Sequence, residues 1–379
     1  MKPIWFKPRG YQHLDAPVGA SFAAKTEAPD FVTRHSFLPL LRYIKETKRY
    51  RPLKGRTETK RRPIMYASHR DACIFSRYAH ELGRRLDDHY GAAGLSECVI
   101  AYRKLEKSNY DFAAEVREYA KANAPCSILC FDVRDFFGTL DHHLLKSRLK
   151  RILGCFELPE DWYKVFRQVT RFTYVDVGVL RTHPDFVGRV GNRGRAPLAT
   201  IAEINAAGIA LNQNDKDAGI PQGTPISSAF SNLYMIDFDA ALQAYCAERG
   251  SLYRRYSDDI LVVCPEPLAA EMEKFVKDQM VAEKLTINDD KTERHVFDSR
   301  DDDPAQYLGF NLSPAGATIR QSSLSRQWRK LLKSVKRIKT VGVAAMAAGT
   351  ADKIYTKTLR RRFTSLPVRN FSSYARRSA

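Results

Sequence analysis

The sequence predicts an α+β fold, and three observations support this prediction. Residues 252–256 are predicted to form a strand, residues 260–264 are an apolar, β-branched stretch typical of strands, and a short acidic turn separates them. Residues 126–133 form a third such stretch, which also contains an acidic residue near its end. Other segments place apolar residues at helical spacing instead. Strands and amphipathic helices therefore occur within one chain, as the α+β class requires.

Helical periodicity predicts the following helices. Their expected ranges are 37–50, 70–90, 142–153 and 225–247, and the helix over 70–90 would bury Ile74, Tyr78, Leu82 and Leu86.

Length and charge indicate a large protein that binds a polyanion. The 379 residues are enough for an extensive core and for two or three sub-domains. The chain has 62 Lys and Arg against 43 Asp and Glu, a net charge of +19. Nucleic acid is the expected partner of so cationic a surface. A basic surface that serves only solubility is the alternative.

Cysteine usage and hydropathy predict a soluble, cytoplasmic protein. The seven cysteines are scattered, with neither zinc-ligand spacing nor a disulfide framework, so we expect reduced thiols. The N-terminal residues contain no apolar segment of signal-peptide length, and no later stretch reaches the ~18 apolar residues of a membrane span. We therefore expect no membrane partner.

The acidic turn Tyr256-Ser257-Asp258-Asp259 is a candidate metal site. Adjacent carboxylates at the tip of a hairpin repel each other unless a cation lies between them, although Asp is also common in solvated turns. Asp132 supplies a further carboxylate from a separate strand. Two metal ions roughly 3.5–4 Å apart, bridged by such carboxylates, promote in-line phosphoryl transfer. Asp132 and Asp258 therefore predict a site for hard divalent cations.

These stretches resemble the palm motifs of reverse transcriptases, and five of them follow the family's order over about half the chain. The five are Phe131-Asp132-Val133-Arg134-Asp135-Phe136-Phe137, Gly219-Ile220-Pro221-Gln222-Gly223-Thr224-Pro225-Ile226-Ser227, Tyr256-Ser257-Asp258-Asp259, Asn288-Asp289-Asp290-Lys291-Thr292 and Tyr307-Leu308-Gly309-Phe310. The resemblance implies a right-hand polymerase with fingers, palm and thumb, and the activity of an RNA-directed DNA polymerase.

The resemblance also implies a set of site residues. The catalytic acids would be Asp132, Asp258 and Asp259, which with the Val133 backbone would hold two Mg²⁺ ions, or Mn²⁺ in their place. Contacts to the incoming dNTP are expected from Lys60, Arg62, Arg103, Phe137, Gln222 and Lys291. The primer grip would be Tyr307, Leu308 and Gly309.

Several of these assignments have structural alternatives. Phe137 lies where the family carries an aromatic gate against the ribose 2′-hydroxyl, and the less favoured alternative is a core residue beside Phe136. Lys60, Arg62 and Arg103 could belong to solvated basic loops. Gly223 is expected to allow close approach of a sugar or base. By resemblance, Lys291 would protonate the leaving pyrophosphate or hold the triphosphate.

The motifs also suggest domain boundaries. The expected ranges are 1–125 for an N-terminal extension and fingers, 126–154 for the first part of the palm, 155–218 for an insertion between fingers and palm, 219–318 for the rest of the palm and 319–379 for a basic helical thumb-like region.

The C-terminal segment from Arg320 is strongly cationic, with sixteen Lys or Arg residues and a single acid, Asp352. Its first helix has an apolar stripe that we expect to pack against the protein, formed by Trp328, Leu331, Leu332, Val335 and Ile338. The opposite face would then be free to bind phosphates. The predicted RNA-binding residues are Arg329, Lys330, Lys333, Arg360, Arg361 and Arg362.

The form of the second motif and the compact basic C-terminus most resemble abortive-infection and defence-associated bacterial reverse transcriptases. Many of those act with a structured non-coding RNA, so the implied partners are an RNA template, the DNA product and dNTPs. The alternatives are an untemplated or protein-primed polymerase, which would need a tyrosine near the active site, and a group II intron or retron-like enzyme. A non-catalytic RNA-binding protein is disfavoured because all three carboxylates are present.

Overall fold

The computed structural model describes residues 2–51, 55–191, 196–298, 304–364 and 370–377, and they form the predicted α+β fold. The α-helices are α1 Ala20–Lys25, α2 Pro29–Arg34, α3 His69–Ala92, α4 Asn109–Ala122, α5 Phe136–Thr139, α6 His142–Leu153, α7 Glu160–Thr170, α8 Val177–Thr182, α9 Pro184–Val187, α10 Ile201–Ala206, α11 Ser227–Tyr234, α12 Ile236–Glu248, α13 Ala269–Ala282, α14 Gln321–Ala347, α15 Lys357–Phe363 and α16 Phe371–Arg377. The strands are β1 Leu40–Arg51, β2 Arg56–Tyr66, β3 Cys126–Asp132, β4 Thr173–Asp176, β5 Asn212–Gln213, β6 Leu252–Tyr256, β7 Asp259–Pro265, β8 Glu293–Phe297, β9 Ala305–Tyr307, β10 Phe310–Ser313 and β11 Gly316–Ile319.

The central sheet is antiparallel and has the strand order β6-β7-β3-β8. Because side chains alternate along a strand, β3 contributes to two cores. Leu129 and Phe131 belong to the larger core, which includes α11, α12 and α13. Ile128 belongs to a second core with α4 and the small sheet of β9, β10 and β11. Both faces of β3 are thus buried, which fixes the position of its last residue, Asp132.

The predicted hairpin is confirmed as β6 and β7. Tyr256 pairs with Asp259, so only Ser257 and Asp258 form the turn. Ser257 has a φ of +63°, the left-handed conformation that the first residue of a type II′ hairpin turn requires. The turn therefore presents Asp258 beside Asp259 at one end of the central sheet.

The helix predicted for residues 37–50 is wrong, since most of this segment forms β1. It pairs with β2 through eleven antiparallel residue pairs and with β4 in parallel. Leu40 and Leu41 are buried, but Tyr43 and Ile44 are exposed. Apolar spacing over so few residues does not separate helix from strand, and here pairing with a distant strand decides the outcome. We call β1 and β2 together the basic ribbon.

Three predicted helices can be compared with the structure. The helices expected at 70–90 and 142–153 are confirmed as α3 and α6, and all four apolar residues expected to be buried in α3 are buried. The helix predicted for 225–247 is instead two helices, α11 and α12, joined at Met235. At this junction the Arg148 guanidinium donates to the Tyr234 carbonyl and, at 2.8 Å, to Asp237. This ion cluster accompanies the break in the helix.

The C-terminal helix α14 lies largely in solvent. None of its residues is buried, and Trp328 is 62% exposed. The prediction that its apolar stripe packs against the protein is therefore wrong for Trp328, Leu332 and Val335, whereas Leu331 and Ile338 are partly covered. Despite its length, neither α14 nor any other helix in the described ranges is apolar enough to cross a membrane.

Candidate functional site

The fold brings the three predicted acids together. Asp132, the last residue of β3, is the direct pairing partner of Asp259, the first residue of β7. Asp258 precedes Asp259 in the turn, and its carbonyl accepts a hydrogen bond from Val133 N at 3.4 Å. One carboxylate oxygen from each acid can be chosen so that all three lie within 4.8 Å of one another. Such an oxygen cluster suits hard divalent cations such as Mg²⁺.

Repulsion within this acidic cluster changes its protonation. The pKa of Asp259 is raised to about 6, first because surrounding protein atoms desolvate the carboxylate, although the residue as a whole is exposed, and then because Asp258 and Asp132 repel its charge. A bound divalent cation would remove that repulsion. The donor set therefore fits the metal ions that the sequence predicts.

Lys291 provides a positive charge beside the acids. It ends a short 3₁₀ turn, Asp289–Lys291, and its ammonium contacts Asp132 Oδ2. Asn288 holds the same aspartate in place, because Asn288 N donates to the Asp132 carbonyl at 2.8 Å. The structure thus places Lys291 within reach of any ligand that binds at Asp132.

The basic ribbon contributes two more cations. Lys60 and Arg62 are two residues apart on β2, so they share one face of the strand. The pKa of Lys60 is lowered, first by burial and then by the positive charges of Arg62 and Lys291, while Asp132 and Asp258 oppose the shift. Lys60 is therefore close enough to both acidic strands to interact with their charges.

Gln222 and Gly223 connect the ribbon to the loop before α11. The Gln222 carbonyl accepts a hydrogen bond from Met65 N at 2.9 Å. A Cβ atom on Gly223, where φ is +120°, would lie 2.6 Å from the Met65 carbonyl oxygen. The sequence predicts close approach of a sugar or base at this glycine. Its close neighbour is instead the strand β2, which it allows to dock on the loop.

Phe137 lies between the acid-bearing strand and this same loop. Its ring is half-buried and packs against Phe136, with ring centroids 5.5 Å apart. The Phe137 carbonyl accepts from Ile220 N at 2.8 Å, and a Cβ atom on Gly219 would lie 2.9 Å from the Gly138 carbonyl oxygen. Close packing of the two loops therefore fixes the Phe137 backbone.

The structure argues against Arg103 as a nucleotide ligand. Its side chain is only 8% exposed and donates to Asp87 at 2.6 Å. It also donates to the carbonyls of Ser96 and Val99, both at 2.8 Å, and stacks on Tyr90. A guanidinium engaged in this way holds the loop after α3 in place and is not available to a triphosphate.

The predicted primer grip is a tight turn with one member turned inward. Leu308 and Gly309 have φ values of +47° and +91° and join β9 to β10. Tyr307 is buried at 4% exposure, and burial raises its pKa. The structure therefore argues against primer contact by the Tyr307 side chain, which supports the turn from the core, whereas Leu308 and Gly309 are half-buried and Leu308 packs against the second core.

The predicted RNA-binding cations lie on two helices. Arg329, Lys330 and Lys333 are exposed on α14, and Arg360, Arg361 and Arg362 are exposed on α15. Their exposure leaves them accessible to a polyanion.

Sequence reasoning missed several residues around the acids. The Tyr102 hydroxyl donates to Ser257 Oγ at 3.1 Å. The positive charge of Arg320 partly opposes the desolvation and repulsion that raise the pKa of Asp259. Arg255 is buried below the turn. A signal existed only for Arg255, because it alternates with Tyr253 and Ser257 and so lies on the core-facing side of β6.

A comparison with protein families decides the classification. The family described as reverse transcriptase, RNA-dependent DNA polymerase, matches residues 84–312, more than half of the chain. The chain belongs to this family. The matched range contains the three acids, Phe137, Gln222, Lys291 and the Leu308–Gly309 turn, whereas Lys60 and Arg62 precede it.

Individual proteins resemble the chain over smaller parts. The retron Ec86 reverse transcriptase of Escherichia coli is 35% identical over 79 residues, which cover 19% of this chain and 23% of that protein. The structure of apo telomerase from Candida tropicalis, truncated of its C-terminal domain, aligns with a TM-score of 0.50 and 11% identity over 74% of this chain and 55% of that chain. The right-hand fold is thus confirmed, although the chain spans only about half of that structure and a quarter of the retron protein.

The acidic cluster predicts metal binding that depends on its members. We expect the purified protein to bind Mn²⁺, and we expect Asp258→Asn to weaken that binding by about 10-fold or more because a ligand charge is lost. Electron paramagnetic resonance of free Mn²⁺ measures the affinity. Asp290→Asn is the matched control, since Asp290 is an exposed acid of the adjacent 3₁₀ turn outside the cluster. Equal affinities in both variants would contradict the site.

Proposed function

We propose that this chain is an RNA-directed DNA polymerase that joins dNTPs by two-metal phosphoryl transfer at Asp132, Asp258 and Asp259. The observation that carries the proposal is the convergence of the three carboxylates within 4.8 Å in a chain of the reverse transcriptase family. Two Mg²⁺ ions, held there with the Val133 backbone, would activate the attacking 3′-hydroxyl and stabilise the leaving pyrophosphate. Mn²⁺ would fit the same oxygen ligands.

The cations around the acids would bind the triphosphate. Burial, and then the positive charges of Arg62 and Lys291, lower the pKa of Lys60, and a triphosphate bound beside these cations would offset their repulsion of Lys60. Lys291 contacts Asp132, so it is well placed to give a proton to the departing pyrophosphate. Gln222 would contact the nucleotide from the loop that docks on β2.

An aromatic residue would select the sugar, and a turn would hold the primer. Phe137 would block the ribose 2′-hydroxyl, because its backbone is fixed between the acid strand and the 219–222 loop. Leu308 and Gly309 would contact the primer terminus. Arg320, which acts on Asp259 and whose amide nitrogen donates to the Gly309 carbonyl at 2.9 Å, would contact the primer backbone.

The template in this proposal is a structured non-coding RNA, and the cellular role is bacterial anti-phage defence in the cytoplasm. Two features support this finer assignment. The Gly219–Ser227 motif has the form found in defence-associated relatives, and the C-terminal helices carry exposed cations that suit RNA phosphates. An intron or retron-like role remains the alternative within the family.

One observation favours protein-primed synthesis as a second candidate function. Tyr102 is 53% exposed, and its hydroxyl lies 3.1 Å from Ser257 Oγ, next to Asp258 in the chain. In this reaction the tyrosine oxygen would attack the α-phosphorus of a dNTP, lose its proton to solvent and release pyrophosphate. The first nucleotide would then remain covalently attached to the protein.

A single synthesis assay tests both candidates. Purified protein with its co-purifying RNA and labelled dNTPs should make DNA whose sequence is complementary to that RNA, and Asp258→Asn should abolish synthesis while Asp259→Asn reduces it less. Label that stays with the protein after denaturation, and is lost in Tyr102→Phe, would favour protein priming. Synthesis that persists in Asp258→Asn would refute the proposed catalytic site. Phage plating on cells that express the wild type or Asp258→Asn tests the defence role.

Sugar selection is expected to depend on Phe137. Phe137→Ala should open space for a 2′-hydroxyl and raise incorporation of NTPs relative to dNTPs. The expected loss of discrimination between the two substrates is ~1–3 kcal/mol, the scale of one steric contact in a pocket. Competition between dNTPs and NTPs on one primer-template measures the ratio. RNA binding should not change. An unchanged ratio would show that Phe137 serves only the core.

RNA binding is expected to depend on α15. Replacing Arg360, Arg361 and Arg362 with Ala should weaken RNA binding. The slope of the logarithm of the binding constant against the logarithm of the salt concentration should become shallower by ~2–3, since each lost phosphate contact removes roughly 0.7–0.9 from that slope. Synthesis on a saturating short primer-template should fall much less. The control replaces Lys7, Lys121 and Lys274, three exposed lysines on other parts of the protein, and removes equal charge. Similar slopes in both triple variants would mean that total charge, and not this helix, holds the RNA.

A further inference from the structure

A fully buried ion pair lies below the acidic turn. Arg255 in β6 and Asp239 in α12 both have side chains that are 0% exposed. Arg255 Nε donates to Asp239 Oδ1 and Nη2 donates to Oδ2, each at 2.6 Å. The Tyr253 hydroxyl donates a further hydrogen bond to Asp239 Oδ1 at 2.6 Å. The guanidinium is therefore locked to a helix of the core.

The same guanidinium reaches the turn that carries Asp258. Arg255 Nη1 donates to the Ser257 carbonyl at 3.1 Å and to Asn232 Oδ1 at 3.2 Å. The Ser257 carbonyl belongs to the peptide group that links Ser257 to Asp258. A hydrogen bond at this carbonyl restricts rotation on both sides of the peptide, and so restricts the direction in which Asp258 leaves the backbone.

Stability alone does not account for this arrangement. A buried ion pair seldom stabilises a protein more than apolar residues of similar volume, because desolvation of both charges offsets their attraction. The planar guanidinium offers donors in a fixed fork that reaches a carboxylate and a carbonyl together, which a lysine ammonium does not reproduce. The turn also needs an anchor, since Ser257 has a φ of +63° and the carboxylates of Asp258 and Asp259 repel each other.

We propose that Arg255, held by Asp239, is a positioning residue that orients the Ser257–Asp258 peptide and thereby sets the metal-binding geometry of Asp258. The inference rests on the metal site of the proposed function. Residues that orient metal ligands typically contribute about 10–100-fold to metal affinity or activity when they are altered. Arg255 therefore acts on catalysis without touching the substrate.

Two sets of variants separate positioning from folding. Arg255→Lys keeps the charge opposite Asp239 but loses the fork. Arg255→Met combined with Asp239→Leu removes both charges and fills the space with apolar atoms, so that no buried charge is left unpaired.

Matched controls come from a second buried arginine. Arg148 and Glu283 are 6% and 8% exposed and lie 2.6 Å apart, and Arg148 contacts the α11–α12 junction and not the acidic turn. The controls are Arg148→Lys and the double change Arg148→Met with Glu283→Leu. Melting temperature, Mn²⁺ affinity, kcat and the KM for dNTP are measured for every variant.

The two Arg255 variants are expected to bind Mn²⁺ about 10–100-fold more weakly and to lose kcat by a similar factor. Their KM for dNTP should stay within about two-fold of wild type, because the triphosphate ligands are intact. The Arg148 variants are expected to keep the Mn²⁺ affinity and the kcat of wild type, because this ion pair does not contact the acidic turn.

Wild-type Mn²⁺ affinity and kcat in a folded Arg255→Met/Asp239→Leu protein would overturn the inference and leave the ion pair a structural element. If that double variant does not fold, Arg255→Lys decides by the same two measurements. Asp258→Asn distinguishes the two levels of the argument. Unchanged Mn²⁺ affinity in Asp258→Asn would refute the metal site itself, whereas weaker binding there with unchanged Arg255 variants would refute only the positioning role.

Discussion

Mutual repulsion among Asp132, Asp258 and Asp259 is the constraint on which the rest of the structure depends. Three carboxylates held this close repel one another, and after desolvation, the larger cause, this repulsion helps to raise the pKa of Asp259. The protein tolerates this repulsion because strand pairing and packing hold the backbone of each acid in place. Asp132 ends a strand buried on both faces, Asp259 is its direct pairing partner, and Asp258 lies in a two-residue turn.

Positive charge is arranged around the cluster at two depths. Arg255 lies beneath it, fully paired with Asp239, and so contributes geometry more than free charge. Lys60, Arg62 and Lys291 are the upper cations, and after burial the charges of Arg62 and Lys291 lower the pKa of Lys60. The deep cation is permanently satisfied, whereas the upper cations gain from a polyanionic ligand. In the proposed function, a metal–triphosphate complex would bring positive charge to the acids and negative charge to the lysines and arginine, so one ligand would offset both sets of repulsion.

The C-terminal helix α14 exposes both apolar and cationic side chains. The sequence stripe on α14 suggests a helix packed against the polymerase, yet Trp328 and Leu332 are exposed while the cations of the opposite face are exposed as well. Both faces are therefore accessible for interaction. In the proposed function the phosphates of a structured RNA meet the cationic side.

The sequence by itself determined the elements with strong local patterns. The strand that ends at Asp132, the hairpin whose turn contains Asp258, and the helices α3 and α6 follow from residue periodicity, because backbone alternation and helical spacing depend only on neighbours in the chain. The choice of the three acids follows from the order of the motifs. Only the tertiary structure decided what depends on distant partners. The segment after residue 40 became a strand by pairing with β2 and β4, Arg103 paired with Asp87, and Gly223 proved to face Met65. Arg255 and Asp239, sixteen residues apart, became one buried pair under the acidic turn, since hydrogen-bond geometry between separate elements exists only once both have packed.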